Sequence, residues 1–353
     1  MDTLTVKKLR IGYQPLSSDL SQPGDRRRVV FWAKHRGHEI VTDLSQSTDV
    51  ILLSEKADLN TFSRKPMGAP IVFDLIDAYL APENRTKDWL RGASKVMNGQ
   101  ISGTPKRFTK FVEELCTQSD AVICSSPEQQ ETIRPFSSNI HVILDSHDEL
   151  PMVPFSKYNN KTSQRILWEG MPATIKGLAQ IDEAISSIGE HRRIELGLVT
   201  DENYFLFLNK YVQRETTSLL TSILKSANSL SNLIPWSIKN LTEQASASDL
   251  AVIPINLSIP IQNLKPENRL LIMWRLGLPC LTSPSPAYLR VAKKAKVDSI
   301  CNSPTEWLSK ISEVIENRDL AEENATLGQA YLKEFHNTDR LLERWDRAFE
   351  SVL

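Results

Sequence analysis

Short apolar runs alternate with helix-like segments along most of this 353-residue chain, and this alternation restricts the fold more than any other feature. In the first half, the runs predicted as strands are 9–13, 39–42, 50–53, 70–74, 121–124 and 140–144. The segments predicted as helices are 26–36, about 104–117, and one that begins at Pro127. Because alternating strands and helices build parallel sheets covered on both faces, the pattern predicts an α/β fold.

The same alternation restarts after a polar segment at about 148–164, which we interpret as a linker. The later predicted strands are 165–168, 194–199, 250–254 and one that contains Leu281, with a helix at 173–188 and a helical tail over 305–353. Ligands of open α/β sheets bind outside the carboxyl ends of the strands. The sequence therefore predicts two Rossmann-like, doubly wound domains that face a cleft.

Charge and composition exclude several classes of function. Basic and acidic residues are balanced, 42 against 43, which disfavours a general nucleic-acid binder. No apolar run approaches the roughly 18 residues that cross a bilayer, and the N-terminus lacks the apolar core of a signal peptide, so we expect a cytoplasmic protein. The sequence contains no GxGxxG fingerprint and no Asp-x-Asp pair.

The cysteines fit neither a zinc site nor a CxxC pair and are predicted to be buried, at positions Cys116, Cys124, Cys280 and Cys301.

The segment 265–288 combines a polar helix start with a following apolar strand. Pro266 suits a first helical turn, where its missing N–H has no partner, and Gly277 ends the predicted helix. The free N–H groups and the dipole of a helix start favour anions, so this segment predicts a phosphate site. The candidate ligand contacts are Glu267, Asn268 and Arg269, against the alternatives of a helix cap for Asn268 and a surface ion pair for Arg269.

Four segments in a fixed order resemble a known family. They are Arg-Gly-His-Glu-Ile at 36–40, Gly-Met-Pro-Ala-Thr-Ile-Lys-Gly at 170–177, the strand at 249–254, and the pair Asn-Arg-Leu-Leu and Gly-Leu-Pro within 268–279. The chain resembles glycosyltransferases of the GT-B fold, most closely the retaining enzymes grouped as family 4. The resemblance extends from about residue 8 to residue 350.

The resemblance implies that the two domains bind different substrates. Residues 1–155 would form the acceptor domain and residues 156–330 the nucleotide-sugar donor domain, while 331–353 would be a helix that crosses back to the first domain. In that family positive side chains and helix N-termini neutralise the leaving diphosphate, so no metal and no further cofactor is expected. Lys176, six residues after Gly170, is the first candidate for a diphosphate contact. Gly170 would let the backbone approach the donor, and Ser283, just after a predicted strand, is a further donor-site candidate.

This sequence departs from the family pattern at three positions. Met171 stands where the family has an arginine, and Leu264 and Ile272 stand where it has paired glutamates eight residues apart. The second of those glutamates normally holds the ribose hydroxyls, and an isoleucine cannot accept those hydrogen bonds.

Other polar residues are candidates for the acceptor side. Asp19, in the loop after the first strand, is the nearest carboxylate for the general base that an inverting enzyme needs. Asp74 and Asp77 flank the end of another strand and would bind acceptor hydroxyls or cap the next helix. His147 lies just before the linker.

The stretch 85–110 carries seven basic residues and one acidic residue. Such a surface would meet anionic lipid head groups or a diphosphate-linked acceptor, and a solvated basic face is the alternative. Three arginines at 26–28 also lie at a predicted helix start, where cations oppose the dipole, a weak hint of an anionic partner.

The sequence thus predicts a metal-independent glycosyltransferase that moves a sugar from a nucleotide-sugar donor to a saccharide or lipid-linked acceptor. We expect retention at the anomeric carbon, a role in surface polysaccharide assembly, and peripheral contact with the inner face of the membrane. The alternatives are a non-catalytic GT-B module that binds a glycan or a protein partner, and a nucleotide-sugar epimerase of the same fold.

Overall fold

The computed structural model describes residues 8–64, 68–82, 84–155, 163–206 and 212–353. Residues 156–162 of the predicted linker lie outside the described residues. Contacts divide the chain into two units. The first comprises Met1–His147, Leu264–Pro266 and Asn337–Leu353, and the second comprises Asp148–Asn263 and Glu267–His336. The predicted functional domains, 1–155, 156–330 and 331–353, remain a prediction.

The first unit contains, among its described residues, a six-stranded sheet in the order β2-β1-β3-β4-β5-β6 whose neighbouring strands are all parallel. Its strands are β1 (Arg10–Gln14), β2 (Glu39–Val41), β3 (Val50–Ser54), β4 (Ile71–Leu75), β5 (Ala121–Cys124) and β6 (Ile140–Val142). Side chains alternate along these strands, so that Val50 and Leu52 join one apolar cluster and Ile51 and Leu53 join another. The sheet therefore has an apolar core on each face, as predicted for an α/β fold.

Helices connect these strands and supply both apolar cores. They are α1 (Pro23–Arg26), α2 (Val29–Arg36), α3 (Leu59–Phe62), α4 (Arg85–Met97), α5 (Phe108–Gln118) and α6 (Pro127–Ile133). The prediction of one helix over 26–36 is wrong, because Arg28 adopts a non-helical backbone (φ −119°, ψ −111°) between α1 and α2. Helix α4 was not predicted; only Asp88, Gly92 and Ala93 of it are buried, and its apolar residues Trp89, Leu90 and Met97 are exposed.

The second unit contains, within its described part, a five-stranded parallel sheet in the order β11-β8-β7-β12-β13 and a separate antiparallel pair, β9 and β10. The strands are β7 (Gln164–Glu169), β8 (Ile194–Thr200), β9 (Asn203–Leu206), β10 (Val212–Glu215), β11 (Ser231–Pro235), β12 (Leu250–Ile253) and β13 (Cys280–Thr282). Strand β11 escaped the sequence analysis because it is a partly exposed edge strand without a continuous apolar run.

The helices of this unit alternate with its strands along the chain, and side chains such as Ile185, Leu220 and Trp307 join a large apolar cluster. They are α7 (Asp182–His191), α8 (Thr216–Ile223), α9 (Ile238–Ala247), α10 (Pro260–Asn263), α11 (Asn268–Arg275), α12 (Pro286–Ala295), α13 (Pro304–Glu316) and α14 (Arg318–Phe335), with 3-10 helices at Pro172–Gln180 and Asn228–Leu230. The predicted helix over 173–188 is therefore wrong in its first half. The four cysteines are free and buried, as predicted.

The last helix, α15 (Thr338–Glu350), packs on α2 within the first unit. Trp345 and Phe349 are both buried, as their spacing on one helix face predicted. Trp32 stacks on Trp345 with a centroid distance of 5.9 Å, and its Nε1 donates to Asp346 Oδ1 at 2.7 Å. The helix thus closes one face of the first sheet through aromatic contacts and a hydrogen bond to a charged group.

A fully buried guanidinium lies at the centre of the first unit. Arg28 is 0% exposed and donates to both oxygens of Asp74, at 2.8 and 2.6 Å. It also donates to the carbonyl of Ile143 at 2.8 Å and to Asp145 Oδ1 at 3.1 Å, and it lies 5.7 Å from the ring centre of Trp345. Although burial opposes the charge, the two carboxylates raise the pKa of Arg28 above its ordinary value. The hint of an anionic partner at 26–28 is therefore explained, for Arg28, by an internal ion cluster.

We expect Arg28→Met to lower the free energy of unfolding by about 3–5 kcal/mol, because Asp74 would stay buried without its counter-ion. Urea unfolding followed by circular dichroism measures the change. Arg347→Met is the matched control, since Arg347 pairs with Glu343 on an exposed helix face and its loss should cost less than about 1 kcal/mol. Equal, small losses in the two variants would contradict a central role for the Arg28 cluster.

Candidate functional site

The topology of the second sheet marks one position for a ligand. Strands β8 and β11 lie on one side of β7, and β12 and β13 lie on the other. The strand order therefore reverses between β7 and β12. In open α/β sheets, ligands bind at the carboxyl ends of the strands beside such a switch point. Here those ends are Glu169 of β7 and Ile253 of β12.

Gly170 follows β7 in a space that admits no side chain. A Cβ built on Gly170 would lie 2.7 Å from Thr174 Oγ1, 2.8 Å from Arg269 Nη1 and 2.9 Å from the ring of Trp168. The glycine therefore allows the guanidinium of Arg269 to approach the backbone after β7, where Arg269 Nη1 donates to Glu169 O at 2.9 Å. The structure thus brings two sequence-predicted residues, Gly170 and Arg269, into direct proximity.

The segment after Gly170 forms a 3-10 helix instead of the predicted α-helix, and its packing explains why. A Cβ on Gly177 would overlap the carbonyl of Pro254, so the segment follows the loop after β12 at backbone contact distance. Lys176 is exposed on this 3-10 helix. Its predicted contact with diphosphate remains a prediction.

The predicted helix start at 265 is displaced to Asn268, and Glu267 occupies the N-cap without a side-chain hydrogen bond to the helix. Lys265 instead belongs to the first unit, where its Nζ lies 3.4 Å from Asp77 Oδ1. Within the described residues, Asn268 Oδ1 is buried without a hydrogen-bond partner and the helix has no side-chain cap from Asn268.

Glu267 is buried and forms an ion pair with an arginine. Its side chain is 3% exposed, and Arg290 of α12 donates to its two oxygens at 3.2 and 3.1 Å. The predicted ligand contact of Glu267 is untested, but its carboxylate also links the start of α11 to α12. Ile272, on the same helix, is 3% exposed.

Ser283 joins three segments at the carboxyl edge of this sheet. Its hydroxyl donates to Gln180 Oε1 at 3.1 Å and accepts from the backbone N–H of Ile255 at 2.9 Å. Gln180 Nε2 in turn donates to Ile255 O at 2.6 Å. These bonds hold the 3-10 helix and the loops after β12 and β13 together. The geometry gives Ser283 a positioning function, while its predicted donor contact stays a prediction.

Trp236, which the sequence analysis missed, also lies at this edge. It follows β11, and its indole Nε1 donates to Glu169 Oε1 at 3.0 Å. Trp236 could have been found from the sequence as an aromatic residue directly after a strand, but β11 itself was not predicted.

In the first unit, the residues predicted to lie on the acceptor side have different surroundings. Asp19 is exposed in a turn, where hydrogen bonds from the Ser21 hydroxyl and N–H lower its pKa. A lowered pKa makes Asp19 a weaker base than an ordinary carboxylate. Asp74 is buried and pairs with Arg28, and the expectation that it binds acceptor hydroxyls stays a prediction. His147 is also buried.

A second polar cluster lies at the carboxyl ends of β3 and β4, and the sequence analysis identified only Asp77 of it. Glu55 directly follows β3, and its Oε2 accepts from the N–H of Asp77 at 3.3 Å while Oε1 accepts from Tyr79 Oη at 3.3 Å. Burial and then the charge of Asp77 raise the pKa of Glu55 to about 7. Burial lowers the pKa of Lys95, on α4, to about 8. Glu55 could have been found from the sequence, because it is an acidic residue that directly follows a buried strand.

We expect Glu55 to make the stability of the protein fall as pH rises from about 4.5 to about 7, because the native state then holds a proton that the unfolded chain has lost. Glu55→Gln should remove this decline, so its stability relative to the wild type should rise between pH 4.5 and pH 8. Urea unfolding at the two pH values measures the difference. Glu131→Gln, at an exposed pair with Arg134, is the control and should keep the wild-type pH dependence. An unchanged pH dependence in Glu55→Gln would show that the raised pKa is absent.

No protein-family model matches the chain, and no curated protein matches its sequence. Solved structures do match. HepE from Anabaena, solved in complex with UDP and glucose, is 11% identical with a TM-score of 0.66, and the match covers 97% of this chain and 99% of HepE.

Two further structures show the same likeness. WaaG, described as a glycosyltransferase involved in lipopolysaccharide biosynthesis, is 12% identical with a TM-score of 0.58, over 96% of this chain and 98% of WaaG. TarM of S. aureus is 12% identical with a TM-score of 0.60 over 85% of this chain, and the chain spans only 54% of TarM. The resemblance to GT-B glycosyltransferases is therefore confirmed at the level of the fold, while membership of family 4 stays a prediction. The chain has the GT-B fold, with parallel sheets in two domains.

Proposed function

We propose that this protein is a glycosyltransferase that moves a sugar from a nucleotide-sugar donor to a saccharide or lipid-linked acceptor. The observation that carries the proposal is the approach of Arg269 to the backbone of Glu169, at 2.9 Å, beside the switch point of the second sheet. There the start of α11, a guanidinium and a glycine without room for a side chain adjoin the loop after β7. This arrangement suits a diphosphate, because cations and helix N-termini stabilise phosphate charge.

The chemistry follows from where charge develops. When the bond between sugar and diphosphate breaks, the negative charge on the leaving diphosphate increases. Arg269, the N–H groups at the start of α11 and the exposed Lys176 would stabilise that charge, which lowers the barrier for the chemical step. Among the described residues, no group of three or more His, Cys, Asp or Glu side chains is arranged to hold a metal ion. We propose transfer without a metal or a further cofactor, because these cationic and N–H groups can themselves stabilise the leaving diphosphate.

The structural neighbours support the proposal without defining its details. HepE was solved with UDP and glucose, and a bisubstrate study of trehalose-6-phosphate synthase, a further fold neighbour, concerns glycosyl transfer with retention. We propose hexosyl transfer with retention for this chain by analogy of fold. Assembly of a surface polysaccharide is the proposed setting.

The first unit would bind the acceptor. Glu55 and Asp77 lie at the carboxyl ends of neighbouring strands, where carboxylates can accept hydrogen bonds from hydroxyl groups. Asp19 remains a proposed base only for an inverting reaction, and the hydrogen bonds from Ser21 that lower its pKa make it a weaker base in that role.

Helix α4 supports a contact between this unit and a membrane surface. Trp89, Leu90 and Met97 are 48%, 56% and 84% exposed, and the exposed basic residues Arg85 and Lys87 lie on the same helix. Aromatic and aliphatic side chains beside cations suit the interface of an anionic bilayer. No helix in the described part of the chain has the length and apolarity of a membrane span. From the exposed apolar and basic side chains of α4 we propose a peripheral contact at the cytoplasmic face.

The second candidate function is a non-catalytic module that binds a partner or a glycan. The observation that favours it is Ile272, which is buried and lacks the hydroxyl-binding carboxylate expected at that position. Nucleotide binding separates the two functions.

We expect isothermal titration with UDP-, GDP- and CMP-sugars to detect binding of at least one of them. Lys176→Ala and Arg269→Ala should each weaken that binding about tenfold, the loss expected for one charge-assisted phosphate contact. Arg192→Ala is the control, because Arg192 pairs with Glu316 on an exposed surface of the same unit. If no nucleotide binds and none of the variants matters, the protein is not a nucleotide-sugar transferase.

We expect the protein to sediment with vesicles that contain anionic phospholipid and to remain in solution with neutral vesicles. Trp89→Ala combined with Leu90→Ala should reduce the bound fraction severalfold, because both side chains would lose apolar contact with the bilayer. Leu289→Ala, which alters an exposed leucine of the second unit, should bind vesicles as the wild type does. Equal sedimentation of all three proteins would exclude α4 as the membrane contact.

A further inference from the structure

A cavity of about 370 Å³ opens on the second sheet, away from the candidate donor site. Arg165, Glu195 and Asn232 line it, and each is the second residue of its strand, β7, β8 or β11. Arg165 lies four residues before Glu169, which ends β7, a separation of about 13 Å along a strand. The cavity therefore lies toward the amino ends of the strands, whereas the candidate donor site lies at their carboxyl ends.

One of the lining residues is a glycine, Gly197, in the interior of β8. Its neighbours Leu196 and Leu198 join the apolar cluster on one face of the sheet, so Gly197 belongs to the other face. A Cβ built on Gly197 would come no closer than 3.5 Å to another atom, Ile234 Cδ1, which is an ordinary contact distance. Both faces of a parallel sheet are normally covered, and a strand glycine often marks the close approach of another group. Because packing does not require a glycine here, Gly197 leaves open a position that the fold could have filled.

Two side-chain amides lie beside this open position. Gln244 of α9 places its Oε1 3.7 Å from the point where a Cβ of Gly197 would lie. Asn232 of β11 pairs with Gly197 in the strand register. In the part of the chain that the structure describes, neither side-chain amide forms a hydrogen bond with another protein group. Since an amide has both donors and an acceptor, the two groups are available to a ligand that has both.

The charged groups of the cavity neutralise each other. Arg165 Nε donates to Glu195 Oε2 at 2.9 Å, and Glu195 Oε1 accepts from the hydroxyl of Ser163 at 3.1 Å. An anion would meet the carboxylate of Glu195, and a cation would meet the guanidinium of Arg165. A purely apolar ligand would leave the amides of Asn232 and Gln244 without partners, which costs free energy. The cavity therefore suits a neutral ligand that carries polar groups.

A sugar residue has this chemistry. Its hydroxyl groups donate and accept hydrogen bonds, and its C–H groups suit an aliphatic side chain such as that of Ile234. The cavity volume lies near the lower end of the range for small-molecule pockets, about 300–1,000 Å³, and so fits a short ligand. We propose that the cavity binds a neutral sugar residue, either as a free sugar or within a glycan chain. This second site does not depend on the proposed transfer reaction, because none of the described residues that line it belongs to the candidate donor site.

The test follows the isoleucine methyl groups of the protein by NMR during titration with neutral sugars. The probes are the methyl glycosides of glucose, galactose, mannose and N-acetylglucosamine, with maltotriose and triacetylchitotriose as neutral chains. We expect the Ile234 methyl signal to shift with at least one sugar and to saturate with a Kd of about 1–10 mM, since few protein groups contact so small a ligand. The signal of Ile185, in the apolar cluster on the other face, should not shift.

Two variants remove the features that define the site. Gly197→Val would fill the open position with a residue that suits a strand, and Gln244→Leu would remove an amide at similar side-chain size. Each should weaken sugar binding about tenfold or more, because space or hydrogen bonds are lost. Gln213→Leu, the same change at an exposed glutamine of β10, is the matched control and should bind as the wild type does. Thermal unfolding of each variant verifies that it is folded.

If no sugar shifts the Ile234 signal at concentrations up to about 100 mM, the cavity is not a sugar site. If sugars bind but Gly197→Val and Gln244→Leu bind them as the wild type does, the sugar lies elsewhere and the assignment is wrong. Tighter binding of glucuronate or inorganic phosphate than of any neutral sugar would exclude a neutral ligand. Tighter binding of a trisaccharide than of its methyl glycoside identifies a residue of a glycan chain as the ligand, and the reverse order identifies a free sugar. Failure of this inference leaves the nucleotide-binding test unaffected, since that test uses a different ligand.

Discussion

The first unit depends on one buried charge, the guanidinium of Arg28. It satisfies Asp74 at the end of β4, the carbonyl of Ile143 and the carboxylate of Asp145 after β6, and it lies against Trp345 of α15. A buried ion must be fully paired to be tolerated, so the positions of these segments are coupled to one another. The break between α1 and α2 at Arg28 lets this side chain reach the interior. The break between α1 and α2 and the buried ion cluster thus belong to the same local structure.

The second unit organises its candidate site mainly through close backbone approach. Gly170 gives Arg269 access to the backbone after β7, and Gly177 lets the 3-10 helix touch the loop after β12. Ser283 and Gln180 then fix these loops by hydrogen bonds. Because the site is assembled from loops on a rigid parallel sheet, small residues and amides control its geometry. Few charged residues take part in this arrangement, chiefly Arg269 and the ion pair of the buried Glu267 with Arg290.

The proposed donor site reconciles two observations that oppose each other. The fold agrees with structures that include HepE bound to UDP and glucose, yet this chain has isoleucine at 272, where the resemblance leads one to expect a ribose-binding glutamate. The start of α11 and the guanidinium of Arg269, beside the switch point of the second sheet, still offer groups that suit a diphosphate. The retaining mechanism and the acceptor remain proposals on this framework.

The sequence by itself determined the α/β class, most of the strands and the GT-B resemblance, because apolar runs and short motifs are local patterns. It also selected Gly170 and Arg269 as candidates from their motif spacing, and the structure brings these two residues together. Only the tertiary structure decided the partners of charged groups, such as Asp74, whose arginine lies 46 positions away, and Trp236, which meets Glu169 across an intervening strand. Helix α4 was missed although Trp89, Ala93 and Met97 recur at helical spacing, and only the tertiary structure shows that this helix leaves Trp89 and Met97 exposed. Hydrophobic periodicity records which face of an element is buried, whereas the pairing of polar groups depends on which elements the fold brings together.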